Sequence, residues 1–588
     1  MSTEPTEPTG PAPAPVSGPA PAARPAVPAT EEFLRARDVL LLHRTDLAKA
    51  VAEFRWPRAT EFNWALDYFD TVAARQDRPA LRIVGPGDPG TDRLIGYGEL
   101  ARRSARVANW LRATGVRRGD PLLLMLGNRA EVWETMLAAI KLGAIVIPTY
   151  TTATAAEIAD RLLRGGVRYV VAEAGLTDRF TGAPGGWTGI SVGGPAEGWL
   201  PYESAADASE DFVPDGPTRA DDPLFRYFTS GTTSKPKMVE HTHVSYPVGH
   251  LSGMYWNGVR PGDVHLNISA PGWAKHAWSS LFVPWNAEAT VVALDAARSA
   301  PAEVLDVLRT RRVTTFCAPP TVWRGMAAHG LGPRPPELRE AVAAGEPLEP
   351  SLIELVAREW GVDLRDGYGQ TETTGQIGNP PGRPAAPGSM GFPLPGYTVV
   401  LLDPETGRPV PDGEPGEICL DLADRPLGVM RGYVGDEART AKALAGGFYH
   451  TGDLAVRAPD GALTYLARAD DMFKAFDHRI SPRELEDVLL RHPAVADAAV
   501  VPVPHPVGLW APKAYVVPAA EHPAVEETAR RILDRVRAEL PPEKWVRVVE
   551  FVPSLPRTTS GKVRRAELRD RPAGDGVEYH VEEAQELG

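Results

Sequence analysis

Nine consecutive residues, Thr229 to Lys237 (TSGTTSKPK), hold five hydroxyls, one glycine, one proline and two lysines. Hydroxyls and bare backbone N–H groups donate to phosphate oxygens, Gly231 permits close backbone approach, and the lysines supply positive charge. Thr229, Ser230, Gly231, Thr232, Thr233 and Lys237 are therefore candidate phosphate contacts, although a polar surface turn has the same composition. Some 130 residues later, Asp366–Glu372 (DGYGQTE) packs two carboxylates, two glycines, an aromatic ring and a hydroxyl into seven positions. Tyr368 can stack on a purine, and the Thr371–Glu372 pair offers the oxygen ligands that Mg²⁺ prefers. Read alone, the segment also suits a turn whose Asp caps a helix. Upstream, Gly345-Glu346-Pro347 follows an apolar segment that reads as a helix. A tight turn there would present backbone carbonyls to a nucleobase edge. Two further segments are YHTGD at 449–453, followed by ADDMFKAFDHRISPRELE at 469–486, and PRTTSGKVRR at 556–565. Lys562 in the last sits on a Gly-bearing polar loop, which suits a phosphate contact as well as an ordinary solvated lysine.

The elements that must position these residues follow from periodicity. Residues 31–54 and 60–75 read as helices, the second with Trp64, Leu66, Phe69 and Val72 on its apolar side. Strand 121–126, helix 130–141, strand 144–150, helix 154–164 and strand 167–172 alternate as in a parallel sheet with right-handed crossovers. The rhythm returns in strand 289–294, helix 301–310, strand 313–317 and helix 320–328. Between 385 and 467, short apolar stretches separated by Pro/Gly turns predict a small β-rich subdomain. Helix 481–490, strands 497–503 and 513–517 and helix 524–540 predict a separate α+β domain of about 100 residues.

In order and spacing, the four motif segments resemble the adenylate-forming superfamily, which holds acyl-CoA synthetases, adenylation domains of peptide synthetases and luciferases. The resemblance covers residues 31–571. PKMVEHTH, GWAKHAW and GYGQTET are most similar to the medium-chain acyl-CoA and aryl-CoA ligases. It implies an α/β fold: a large N-terminal domain (31–468) of stacked α/β subdomains plus a small β-barrel, then a small mobile α+β domain (469–571). It also implies a two-step reaction, in which ATP adenylates a carboxylic acid and a thiol then displaces AMP, with Mg²⁺ as cofactor and coenzyme A as co-substrate.

For the first step the resemblance implies that the 229–237 loop wraps the β- and γ-phosphates. Glu372 ligates Mg²⁺, Thr371 meets the α-phosphate, and Lys562 reaches the carboxylate. Asp366, Gly367, Tyr368, Gly369 and Gln370, with Gly345-Glu346-Pro347, frame the adenine. Asp453, helped by Arg468, accepts from the ribose hydroxyls. For the second step it implies a hinge at Asp470, with Lys474 serving thioester formation and Arg479, on the same loop, contacting the cofactor. Three departures bear on specificity. Ser234 replaces a glycine of the phosphate loop and still donates an N–H. Asp477 replaces a glycine bordering the thiol tunnel, which leaves a carrier protein, an amine or a small nucleophile as alternative acceptors. Gly369 stands where acetate-specific relatives carry tryptophan, so an acid larger than acetate is expected. Its pocket would be lined by Trp273, His276, Ala277, Trp278 and Gly369. These aromatic residues also suit a plain core.

Composition fits this reading. Hydrophobic content of 43% and charged content of 24% are those of a globular chain, and 588 residues allow two to four domains. A net charge of −13 argues against a nucleic-acid partner. Only Cys317 and Cys419 occur, which excludes a disulfide framework or a cysteine-based metal cluster and suits a reducing cytoplasm. No apolar run approaches the roughly 20 residues of a membrane span. Residues 1–30 read as a disordered Pro/Ala-rich tail and 572–588 as a mobile acidic tail. His241 and His243, two apart, lack a third ligand nearby and do not argue for zinc.

Overall fold

The computed structural model describes residues 28–76, 78–85, 88–229, 236–294, 300–424, 426–475, 478–505, 509–557, 563–571 and 577–580. Two large, mostly parallel sheets dominate. In the nine-stranded one, Pro79–Val84, Thr290–Leu294, Val264–Asn267, Thr315–Ala318, Glu340–Ala344 and Leu364–Gly369 run parallel in that spatial order. Antiparallel strands close its two edges. The eight-stranded sheet is built around Pro121–Met125, Ile145–Pro148 and Tyr169–Glu173 and extends through Pro223–Thr229 and Lys237–Thr242. Strands such as PLLLM and IVIP read as continuous apolar runs because helices cover both faces.

The alternation read between 121 and 173 is present as strand, helix, strand, helix, strand, with helices Ala130–Leu142 and Ala155–Arg164. Other readings need correction. The segment before Gly345 is a strand, not a helix: Glu340–Ala344 is buried throughout between two parallel neighbours. Its alanines favour helix, but five residues are too few for that preference to prevail over the sheet. The expected helix 31–54 is two helices, Pro28–Leu42 and Leu47–Glu53, because the Asp46 carboxylate caps the second by accepting from Lys49 N–H. The 60–75 helix begins as a π-turn, Trp64–Phe69, before continuing as α-helix Asp70–Arg75. It buries Trp64, Leu66, Phe69 and Val72, as its periodicity required.

The β-rich subdomain is an antiparallel sheet of four strands, Val399–Leu402, Pro415–Asp421, Phe448–Arg457 and Leu463–Arg468. Its first and last strands are not paired with each other, so among the described residues the expected barrel is an open sheet. The C-terminal unit has its own core of Leu485, Val488, Ile532, Val536 and Val549. The supposed acidic tail contributes to it. Glu578–His580 pairs antiparallel with Val548–Phe551, and the Lys513 ammonium bonds both Glu550 and Glu578 carboxylates. A buried lysine between two acids holds a strand that composition alone reads as solvated chain.

Candidate active site

The carboxyl ends of parallel strands are where open α/β sheets bind ligands. Here they open into a cleft of about 1620 Å³ that also touches the four-stranded sheet and the C-terminal unit. Pockets for a single drug-sized ligand are typically about 300–1,000 Å³, so the cleft has room for more than one such molecule.

One wall carries the 366–372 motif. Leu364–Gly369 is its strand, and Gly367 lies opposite Gly378 on the neighbouring strand. A Cβ on either glycine would lie 2.3 Å from the Trp256 ring, so the pair forms a slot for that indole. Trp256 Nε1 donates to Asp366 O at 3.2 Å. Gly369 has a different reason: its Cβ would meet Thr374 O at 2.5 Å, where the strand is irregular. The Asp366 carboxylate is nearly buried and accepts from Gly367 N–H at 2.9 Å. Burial pushes its pKa up to about 8.

Tyr368 and Gln370 both turn to Asp453. The Tyr368 hydroxyl and Gln370 Nε2 each donate to Asp453 Oδ2 at 2.5 Å, and Arg468 approaches Oδ1 at 3.4 Å. Tyr449 OH donates to Gln370 Oε1 at 2.6 Å and so orients that amide. Arg468 Nε also donates to Asp470 Oδ1 at 3.1 Å. Burial opposes the Arg468 charge, but Asp453 and Asp470 hold its pKa above the ordinary value. The turn bearing Asp453 is braced from below. Glu417 accepts from Gly452 N–H at 2.8 Å and pairs with His450 Nδ1 at 2.9 Å, and Cys419 Sγ lies 3.5 Å from the same nitrogen.

Glu372 faces the hairpin of strands Pro223–Thr229 and Lys237–Thr242, which carries the expected phosphate loop. Tyr433 OH donates to Glu372 Oε1 at 2.9 Å, and Lys237 Nζ lies 3.9 Å from the same oxygen. Burial and the Glu372 carboxylate push the Tyr433 pKa well up, so its hydroxyl stays a donor. Thr371 O accepts from buried His241, whose pKa burial lowers to about 4. Thr229 and Lys237 pair across the mouth of the loop. Ser230, Gly231, Thr232, Thr233, Ser234, Asp477 and Lys562 lie outside the described residues.

Near Gly345, whose φ of +109° suits glycine, Glu346 and Glu349 share Arg324, and Lys275 Nζ donates to Ala344 O. Glu346 Oε1 and Glu349 Oε2 have no hydrogen-bond partner among the described residues. The expected acyl-pocket set divides. Trp273 and Trp278 line the cleft, with Lys275 between them, and Trp273 stacks on Tyr150 at 4.8 Å. His276 and Ala277 do not. Both are 1% exposed, and His276 Nε2 meets Asn128 Oδ1 at 3.0 Å. Ala274–Ala277 is a single helical turn in which successive residues are about 100° apart, so Ala274 and Lys275 reach the cleft while His276 and Ala277 turn into the core. Lys474 is exposed on strand Phe473–Ala475 and lies outside the cleft lining, and the backbone of Arg479 pairs opposite Lys474. Motif reading missed Tyr433, Tyr449, Trp256 and Lys275. The last lies inside GWAKHAW, a polar residue between aromatics that could have drawn notice.

Residues 68–434 match the AMP-binding enzyme family, and residues 484–562 match the AMP-binding enzyme C-terminal domain. The chain is 38% identical over 525 residues to 4-hydroxybutyrate–CoA ligase 1 of Metallosphaera sedula, covering 87% of this chain and 90% of that one. It is 34% identical over 527 residues to the mitochondrial acyl-coenzyme A synthetase ACSM3 of Homo sapiens, covering 87% and 89%. Among solved structures it is similar to the anthranilate CoA ligase AuaEII in complex with anthranoyl-AMP. The TM-score is 0.77 at 27% identity, over 87% of this chain and 97% of that one. Motifs, sheets and cleft together place the chain in the AMP-binding enzyme family, the adenylate-forming acyl- and aryl-CoA ligases.

Proposed function

We propose that this chain is an ATP-dependent, AMP-forming ligase that joins a medium-chain or aromatic carboxylic acid to coenzyme A. The observation that carries this reading is the convergence of Tyr368 and Gln370 on Asp453, beside the Glu372–Lys237 pair, in one cleft with a tryptophan-rich wall. The donor set fits the reactants. Asp453 offers two acceptor oxygens to a ribose diol. Glu372 is a hard oxygen ligand that would hold Mg²⁺, which when bound neutralises charge on the phosphates. Asp366 and the turn at Gly345-Glu346-Pro347 would frame the adenine.

In the first step a carboxylate oxygen of the acid forms a bond to the α-phosphorus as the bridging oxygen of pyrophosphate leaves. Positioning and electrostatics supply most of the rate at such a centre. Lys237 and the phosphate loop would hold the leaving group, and Thr371 and Lys562 the reacting phosphoryl and carboxylate. In the second step the thiol sulfur bonds to the acyl carbon as the C–O bond to AMP breaks, and the thiol proton passes to solvent. Arg468 joins Asp453 to Asp470, which supports a hinge there between the two steps. Trp256, Trp273 and Trp278 suit an aliphatic or aromatic acyl group, and relatives named for hydroxybutyrate and for acyl-CoA synthesis support an acid larger than acetate. Two buried free cysteines support a reducing, cytoplasmic setting, and no helix among the described residues is long and apolar enough to cross a membrane.

The test is mass spectrometry of products from enzyme, Mg-ATP and a panel of aliphatic and aromatic acids, with and without coenzyme A. Acyl-CoA formed only with coenzyme A, most from medium-chain or aromatic acids, supports the proposal. Acyl-AMP without thioester in both arms refutes the acceptor, and no acyl product refutes the ligase.

A further inference from the structure

His241 was set aside as a metal ligand, and no step of the reaction uses it directly. Its place is nonetheless specific. It lies on strand Lys237–Thr242, fully buried, with Tyr246 packed on its ring at 4.6 Å. Its Nε2 is 2.7 Å from Thr371 O, and its Nδ1 is 3.0 Å from Ser245 Oγ. A carbonyl oxygen only accepts, so Nε2 carries the hydrogen. Nδ1 then accepts, and the Ser245 hydroxyl donates to it. Ser245 Oγ in turn accepts from Thr242 N–H at 2.8 Å, which leaves its own hydrogen for the ring. Every hydrogen in this chain is therefore assigned by its partners.

The carbonyl that His241 grips belongs to the Thr371–Glu372 peptide pair. The far side of that pair is held by Met430 N–H, which donates to Glu372 O at 2.7 Å. The pair is thus clamped between the hairpin that carries the phosphate loop and the segment that carries Tyr433. Removing the Nε2 bond would leave a buried carbonyl without its donor and free the turn to relax.

We infer that His241 is a positioning residue, which sets the Thr371–Glu372 pair against the phosphate-loop hairpin for nucleotide and metal. The inference rests on the function proposed above. Two substitutions separate it from a general packing role. His241→Gln places an amide N–H₂ where Nε2 stands and retains the bond to Thr371 O. His241→Asn is equally polar and reaches only the Nδ1 position, toward Ser245.

The experiment compares wild type, H241Q and H241N in three measurements. These are calorimetric affinity for Mg²⁺ with the β,γ-methylene analogue of ATP, acid-dependent ATP–pyrophosphate exchange, and thioester formation from synthetic acyl-adenylate and coenzyme A. H241N is expected to lose about tenfold in analogue affinity and in exchange, the effect of one buried hydrogen bond left unmade. H241Q is expected to stay within about twofold of wild type, and thioester formation at saturating acyl-adenylate to stay unchanged in both. H241N equal to wild type in analogue binding would overturn the inference, as would equal loss in H241Q and H241N, or loss of the thioester step alongside exchange. Absence of exchange in the wild type with every acid would count against the proposed function, while analogue binding still decides the role of His241.

Discussion

Substituting Tyr433 by phenylalanine isolates one hydrogen bond at the expected metal ligand. The hydroxyl donates to Glu372 Oε1 at 2.9 Å, and both residues are under 9% exposed. Phenylalanine keeps the ring over which the Lys237 ammonium sits at 5.2 Å, so packing and the cation–π contact survive. Without the hydroxyl, the remaining partner of Oε1 is Lys237 at 3.9 Å, beyond hydrogen-bond reach. The carboxylate is then drawn toward the lysine and away from a metal. A hydrogen bond to a charged acceptor contributes about 1.5–3 kcal/mol, which corresponds to roughly ten- to a hundredfold in an equilibrium constant. Tyr433→Phe should therefore raise the Mg²⁺ concentration for half-maximal ATP–pyrophosphate exchange by at least about tenfold. A Mg²⁺ titration in excess ATP reads this directly. Half-saturation equal to wild type would refute Tyr433 as the group that orients Glu372.

Two further outcomes concern buried titrating groups. His243 is fully buried, neither ring nitrogen has a partner among the described residues, and burial lowers its pKa to about 3. Its contribution is present above pH 6.5 and lost as pH falls through the folded-state value, by about 1.4 kcal/mol per unit. His243→Leu should therefore gain stability over wild type steadily from pH 6.5 to 4.5 in urea unfolding, and a pH-independent difference would contradict this. Asp366 runs the other way: with its pKa raised to about 8, the stability of its protonated form is present below about pH 4 and lost as pH rises to about 8. Asp366→Asn should melt progressively higher than wild type between pH 5 and 8, and parallel melting curves would show the carboxyl to be solvated.

The sheets were legible because apolar runs and helical periodicity alternate at fixed spacing from Pro121 to Glu173. The segment before Gly345 was not, because alanine prefers helix in isolation and the partners that make it a strand are distant in sequence. The motifs located a candidate site, but not the reason for each residue type in it. Gly367 was read with the residues that frame the adenine, yet the space of its missing side chain is occupied by Trp256, which is visible only once Gly367 is known to oppose Gly378. His276 and Ala277 were grouped with Trp273 because a four-residue turn gives no periodicity from which to read a face. Glu578–His580 was hidden because its partners, Lys513 and the strand Val548–Phe551, are what make an acidic segment ordered.

The central claim is that a carboxylate oxygen attacks the α-phosphorus of ATP. Acid labelled with ¹⁸O in its carboxylate, supplied with Mg-ATP and coenzyme A, tests it in a single mass spectrum of the nucleotide product. One ¹⁸O in the phosphate of AMP is the expected result, because the bridging oxygen stays with AMP when the thiol takes the acyl group. Unlabelled AMP, or ADP with ¹⁸O in inorganic phosphate, would contradict the account.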